Sequence, residues 1–513
     1  MAIDLTKPLK WTDPDAEQLR MLSALQGNIL KGHGRDCTWN VFFRFGADHA
    51  AGARLVRELG NYHVTDALTQ LREASVFKET GKMGGTFVAM GLSAKGYDAL
   101  GIARTGVLAQ EPFASGMKSN SSLANLNDPV LGDWEAEFAQ EIHGIIVVGD
   151  HDALRGEDRR WVIADLIAQA GGSVVKTQQG KALHNDAGAG IEHFGYVDGR
   201  SQPLLLAEDI KKEANEGGGI AHWDPTAGLN AALVLDPLVP PPPAPTPAED
   251  IGFGSFFIFR KLEQNVRTFK RAELELALKL GLSGDDMEVA GAMCVGRFED
   301  GTPVTMSNKE RNLEPPNDFD YAGDAGSRCP FHSHIRKTNP RGGGGFGQPE
   351  ATEKAHLMPR RGIPYEDVQR PTHPNGLPGA ETLAEFDANV APLAPTGGVG
   401  LLFMAYNSDL NNQFVFTQQS WANSQGFPQA PKPPGIDPVI GQGANIADGP
   451  EWPKQWDNPA AGVERFDFAG HVKMKGGEYF FTPSLLWLRT VGASGTNAPS
   501  APAAGRKAKA TAR

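Results

Sequence analysis

Cysteine is scarce: Cys37, Cys294 and Cys329 are the only three in 513 residues. An odd count so widely spaced lays out no disulfide framework, and a reducing cytoplasm is the expected location. Long apolar runs are missing too. No stretch approaches the roughly eighteen residues that a membrane-crossing helix requires. The opening Met1-Ala2-Ile3-Asp4-Leu5 lacks the charged-then-apolar pattern of an export signal. Positive charge is in deficit, with 49 Lys and Arg against 61 Asp and Glu and a net charge of -12. Without a surplus of cations to neutralise phosphates, neither nucleic acid nor an anionic membrane is an expected partner. In the first part, where strands and helices interleave, no Gly-x-Gly-x-x-Gly turn occurs, which disfavours a dinucleotide fold there.

What is present reads as an ordinary globular chain, 40% hydrophobic and 21% charged, with length enough for two or more cores. In the first part, strands are expected at Trp39 to Phe45, Thr86 to Met90, His143 to Gly149 and Ser173 to Thr177. Helices are expected at Pro14 to Leu25, capped by Asp13, and at Ala50 to Leu59, Val64 to Glu73, Ser93 to Leu100 and Arg159 to Ala170. This interleaving favours α+β layers. Val239 to Pro247 then holds six prolines, and 208–250 reads as an extended, polyproline-like surface connection. It separates a first domain, 1–207, from a second, 251–491. The second opens on a strand at Gly254 to Arg260. A helix at Phe269 to Leu280, a strand at Gly398 to Tyr406, a helix at Phe414 to Trp421 and a last ordered piece from Gly476 to Leu485 follow. Little regular structure is expected in 306–397 or 425–475. The tail, 492–513, has a composition that cannot bury a core.

Three short stretches carry unusual chemistry. Cys329 to Arg341 packs two imidazoles, three cations and two prolines into thirteen residues. If extended, it would point His332 and His334 to one side. Gly195-Tyr196-Val197-Asp198-Gly199, continuing Arg200-Ser201-Gln202-Pro203, places a carboxylate where the backbone turns tightly. Pro359-Arg360-Arg361-Gly362-Ile363-Pro364-Tyr365 puts a cationic pair before a turn. Singly, each also reads as a solvated basic loop or a plain turn.

Taken in order, Gly-x-x-Asp-Gly, His-Ile-Arg-x-x-Asn-Pro-Arg and Arg-x-Gly-x-Pro-Tyr resemble the dye-decolourising peroxidase family of haem proteins. Gln26 to Gly32, Gly132 to Glu135, the His143 strand, Gln419 to Asn423 and Gly477 to Ser484 are similar to family segments in family order. The resemblance spans about residues 24 to 490 and is nearest the larger, fungal-like and cyanobacterial-like members. It implies an α+β fold of two ferredoxin-like domains of the dimeric α+β barrel type, with antiparallel sheets and peripheral helices. It also implies haem b (iron protoporphyrin IX) held mainly by the C-terminal domain.

By that resemblance His334 is the iron ligand, with His332 its competitor. Asp198 is the acid–base residue, beside Gly199 at the cofactor. Arg360 is the catalytic cation, while Arg361 is out of the motif's phase. Arg336 and Arg341 are expected at the haem propionates, although either could pair with a protein carboxylate instead. Asp409 is the expected acceptor for the ligand imidazole. The implied activity is oxidation of bulky dyes and phenolic or other aromatic substrates by hydrogen peroxide through an oxoferryl intermediate, in a monomer or small homo-oligomer. Long-range electron transfer through a surface Tyr or Trp is often proposed in the family, and nine Trp and seven Tyr are available. Two alternatives stand beside this reading. A haem-handling protein would need the ligand without the acid–base pair. A non-haem metal site would use both His332 and His334.

Overall fold

Aromatic and β-branched runs separated by turn residues fold into nine strands of one antiparallel sheet. The computed structural model describes residues 3–216, 218–239, 252–311 and 315–493. Nearly all of the proline run and of the 492–513 tail lies outside them. The main strands are β1 (Cys37–Arg44), β2 (Phe87–Leu92), β3 (Gly144–Asp150) and β4 (Ser173–Lys181). The second half contributes β5 (Phe253–Gln264), β6 (Ile363–Glu366), β7 (Val399–Asn407) and β8 (Val472–Thr482). Their path is β4-β1-β3-β2-β8-β5-β7-β6.

The order 4-1-3-2 in the first half recurs as 8-5-7-6 in the second, so each half is a ferredoxin-like unit, as expected. The halves join where Phe481 of β8 pairs with Leu92 of β2. The outer strands of the path also approach each other. Gln178 Nε2 on β4 donates to Asp367 Oδ1, just past β6, at 3.0 Å. Lys261 on β5, 1% exposed, reaches both Glu135 and Asp367.

Burial explains the near-continuous apolar character of β2 and β3: every residue of both is buried, as strands covered on two faces must be. At the centre Phe42, 0% exposed, meets Phe259 of β5 at 4.8 Å, Phe138 at 5.0 Å and Phe480 of β8 at 6.3 Å between centroids. One core therefore spans both halves.

Helices flank the sheet. α1 (Ala16–Ala24) is capped by Asp15, not Asp13. The Asp15 side chain accepts from the Glu17 and Gln18 amides while the Gln18 side chain answers the Asp15 backbone. That reciprocal box needs its partners three positions apart, and Asp13 pairs with Lys10 instead. The expected extended connection begins as a helix, α2 (Ala207–Glu216). Its ten residues contain neither Gly nor Pro, and Glu208 and Asp209 sit in its favourable first turn. Val234 and Leu235 then pair with β5. In the second half lie α3 (Val266–Leu280), α4 (Glu288–Val295), α5 (His334–Thr338) and α6, over 411–422 and wound largely as π turns. α7 (Leu485–Thr490) follows β8. The stretches expected to be irregular thus contain α5, β6 and a hairpin of Glu451–Pro453 with Val463–Arg465.

Truncating Phe42 to Ala should cost about 3–5 kcal/mol. A urea denaturation series checks this, and an unchanged midpoint would refute a shared core.

Candidate functional site

Segments far apart in the chain converge on a cavity of about 230 Å³, lined among others by Asp198, Gly199, His334, Arg341 and Arg360. Its walls are apolar where Leu262, Val295, Ile335, Phe403, Phe414 and Val472 face it.

The loop carrying Asp198 is held by its own backbone. Gly195 and Gly199 adopt φ of 103° and 78°, a left-handed region that a side chain would strain. Glu192 staples the turn, accepting from the amides of Phe194 at 2.8 Å and Tyr196 at 3.0 Å and from the Gln264 side chain. Burial, reinforced by the charge of Asp198, pushes the Glu192 carboxyl up to about 7. Asp198 donates its own amide to Gly190 O at 3.0 Å.

Arg360 faces that loop. Its amide donates to Gln202 Oε1 at 2.9 Å and its Nη2 to Ser201 O at 3.1 Å. Nη2 also lies 4.0 Å from Asp198 Oδ1. That gap is too long for a hydrogen bond, so carboxylate and guanidinium are near each other without being consumed by each other. Arg361 points the opposite way, as neighbours on an extended segment do. It donates to the carbonyls of Asn28 at 2.7 Å and Ile29 at 2.9 Å and so ties the segment to the Gln26–Gly32 loop.

His334 opens α5. Its Nδ1 lies 2.8 Å from Asp437 Oδ2. Asp437 is 0% exposed, and its Oδ1 accepts from the amides of Val439 at 2.8 Å and Ile440 at 3.0 Å. Burial raises the Asp437 pKa, but His334 and those amides outweigh it and hold the acid below its ordinary value. Burial lowers the His334 pKa, and the charge and hydrogen bond of Asp437 more than reverse that. An ionised carboxylate only accepts, so Nδ1 carries the hydrogen and Nε2 is the imidazole's available nitrogen. The expected acceptor, Asp409, does something else: it caps the start of α6 through the amides of Asn411 and Asn412. No local signal marks Asp437, which is 103 residues beyond His334.

His332 and His334 do not share a face, because the backbone turns helical between them. His332 is 1% exposed, lies edge-on to Trp452 at 4.3 Å and leaves Nε2 without a partner. Burial pushes it down to about 3. It is not among the residues lining the cavity. Among the described residues no group of three or more His, Cys, Asp or Glu is arranged to hold a bare metal ion.

The arginines divide unexpectedly. Arg336 does not line the cavity: it reaches Asp324 Oδ2 at 3.1 Å and Cys329 O at 2.6 Å, with its guanidinium over Phe331 and Tyr321. Its carboxylate partner is within the protein. Arg260 on the cavity wall is also satisfied, by both oxygens of Asp128 at 2.7 and 2.5 Å. Arg341 is not. It donates to Asn317 O, Phe319 O, Asn317 Oδ1 and Ser201 Oγ, all neutral. Arg297 lines the same cavity and was not singled out from sequence. It donates to Gly301 O at 2.8 Å and Pro316 O at 2.9 Å. Burial and the neighbouring guanidiniums push Arg297 down to about 9, and burial pushes Arg341 to about 10. Two buried cations without a counter-ion are costly, and that end of the cavity is short of negative charge.

Lys337, on α5, is a further buried cation. Its Nζ donates to Ser424 O and Gly435 O at 2.8 Å each, and to Phe427 O. It thereby clamps the loop that leads to Asp437.

Residues 24–182 match the family described as the DyP dimeric alpha+beta barrel domain. The chain is 45% identical over 498 residues to the multifunctional dye peroxidase DyP2 of an Amycolatopsis species, covering 96% of this chain and 100% of that one. The solved DyP2 structure matches with a TM-score of 0.85 and 43% identity over 95% of this chain and 100% of that one. A DyP-type peroxidase from an Anabaena species matches with a TM-score of 0.82 and 36% identity, covering 94% and 97%. A dye-decolourising peroxidase solved in complex with 2,6-dimethoxyphenol matches with a TM-score of 0.69 and 27% identity, covering 93% and 99%.

Glu192 generates a test of the loop. Its folded pKa stands near 7 against an ordinary 4.5, so between those values the folded state binds more protons than the unfolded. Its contribution to stability is complete below about pH 4.5 and is lost as pH rises toward 7. Glu192→Gln stays neutral throughout, so its stability relative to wild type should climb across that window in denaturation experiments. Parallel pH curves would contradict the assignment.

Proposed function

The chain belongs to the dye-decolourising peroxidase family, and on that premise we propose that it uses hydrogen peroxide to oxidise dyes and phenolic aromatics. Asp198, Arg360 and His334 would do the work. The reading rests on one observation: a carboxylate and a guanidinium 4.0 Å apart share a cavity with an imidazole whose Nδ1 is committed to Asp437. The names of the relatives, dye peroxidases, and the 2,6-dimethoxyphenol bound to one of them support the substrate class.

The residues present fit haem b. His334 Nε2 is a neutral nitrogen donor of the kind ferric iron takes. The Asp437 carboxylate fixes the ring and raises its basicity. The apolar walls suit a porphyrin face. Arg297 and Arg341, buried without carboxylates, suit two propionates, since guanidinium binds carboxylate in a two-pronged way. Gly199, with no side chain, lets the loop approach closely. When bound, the haem supplies the redox chemistry with which peroxide is reduced and aromatics are oxidised.

The chain's own residues handle protons and charge. Asp198 takes a proton from the near oxygen of hydrogen peroxide and delivers it to the departing oxygen, which leaves as water. Arg360 offsets the negative charge that builds on that oxygen as the bond between the oxygens breaks. Its hydrogen bonds to Ser201 and Gln202 hold it beside Asp198 at little entropic cost. A haem carrier would have no task for this pair.

On this reading residues 1–207 supply the acid–base loop and residues 251–491 the iron ligand. Among the described residues no helix is long and apolar enough to cross a membrane, and the scarcity of cysteine supports a cytoplasmic location.

Absorbance of the purified protein before and after one equivalent of peroxide tests the function. Bound haem with no spectral response would end the reading. Arg360→Leu should keep the haem spectrum while kcat falls about a hundredfold to a thousandfold. Arg297→Leu with Arg341→Leu should bind haem at least about tenfold more weakly, each guanidinium contributing a charge-assisted hydrogen bond. Titration of the apoprotein with haem measures this.

A further inference from the structure

A second imidazole borders the cavity with one nitrogen free. His356 lies four residues before Arg360, is 5% exposed and faces the cavity beside Met358, Thr417 and Gln418. Its Nδ1 meets the backbone carbonyl of Asn412. A carbonyl only accepts, so Nδ1 carries the hydrogen and Nε2 carries a lone pair. Among the described residues Nε2 has no hydrogen-bond partner, and it is not one of the sealed, partnerless atoms. It therefore touches open space, and the cavity is the open space this residue borders.

The ring is also immobilised. It stacks on Phe416 with centroids 3.7 Å apart and planes 9° off parallel, and Trp421 meets it edge-on at 5.2 Å. Both partners sit on α6, whose π winding is a recurrent mark of functional segments. Burial lowers the His356 pKa and outweighs the opposing pull of the Asn412 carbonyl, which favours the neutral ring with its Nε2 lone pair open. A rigid, neutral acceptor on a cavity wall is suited to a ligand that brings a hydroxyl donor.

We propose that His356 Nε2 is the hydrogen-bond and proton acceptor for the hydroxyl of phenolic reductants. The inference rests on the peroxidase reading, which supplies the oxidant. One phenol gives up one electron to the peroxide-oxidised cofactor, and its O–H bond breaks as the proton forms an N–H bond at Nε2. A phenoxyl radical leaves, and the imidazolium passes the proton to solvent. Two such turns consume one peroxide: two phenols and one hydrogen peroxide give two phenoxyl radicals and two waters. Reductants that lose an electron without a proton have no need of this residue.

The test compares holoenzyme and variants with two donors, 2,6-dimethoxyphenol and the azino-bis-sulfonate ABTS, which gives up an electron alone. His356→Phe keeps an aromatic ring on Phe416 but removes Nε2. Its kcat/KM for dimethoxyphenol should fall about a hundredfold, with ABTS turnover and the resting haem spectrum changed far less. His356→Gln offers an acceptor oxygen without a base. It should retain phenol binding, measured by calorimetric titration of the resting enzyme, while kcat for phenol stays low. Equal losses for both donors, no loss for phenol, or unchanged phenol binding in His356→Phe would each overturn the proposal. Wild-type turnover of ABTS reports separately on the peroxidase reading, and the binding titration decides the role of His356 without it.

Discussion

Everything at this site depends on a single buried hydrogen bond, from His334 Nδ1 to Asp437 at 2.8 Å. An imidazole has two nitrogens and no intrinsic reason to offer one rather than the other. Asp437 decides the matter because it is ionised while buried, which two backbone amides make possible. Lys337 adds to the arrangement from beneath, holding by three carbonyls the loop on which Asp437 stands. Geometry and charge are thus settled together, and the outward nitrogen is left as a donor of defined direction.

Charge bookkeeping around the cavity distinguishes residues that build the fold from residues that await a ligand. Arg260 has Asp128, and Arg336 has Asp324. Both are complete within the protein. Arg297 and Arg341 have only neutral acceptors, though both are buried. The cost of that arrangement makes sense only if an anion offsets it. The same contrast separates the histidines. His332 is sealed against Trp452, whereas His334 and His356 each commit one nitrogen to the protein and keep one for the cavity.

The barrel matters because it brings these pieces together. β5 and β7 pair along most of their lengths, and the segment from Pro359 to Arg361 lies along β7 through Met404 and Tyr406. The Asp198 loop follows β4 at the other end of the path, and its Ser201 accepts from Asn339, Arg341 and Arg360. The Asp198 loop, the His334 helix and the Arg360 segment thereby reach one another beside the approach of β4 to β6.

Much of this was legible in the chain itself. Alternating and continuous apolar runs located six of the eight main strands, because strand burial leaves a periodic trace in composition, and β8 was marked only as an ordered piece from Gly476 to Leu485. His334, Asp198 and Arg360 were singled out by the family resemblance of three ordered motifs, each of which alone also reads as a loop or a turn. β6 escaped notice because its four residues are short and contain a proline. What only the tertiary structure decided were the partners: Asp437 for His334 in place of Asp409, Asp324 for Arg336, Arg297 as a second unpaired cation, and His356 with its free nitrogen. Each depends on residues dozens to hundreds of positions apart being folded together. A hydrogen bond is satisfied by proximity in space, which leaves no mark on the order of residues.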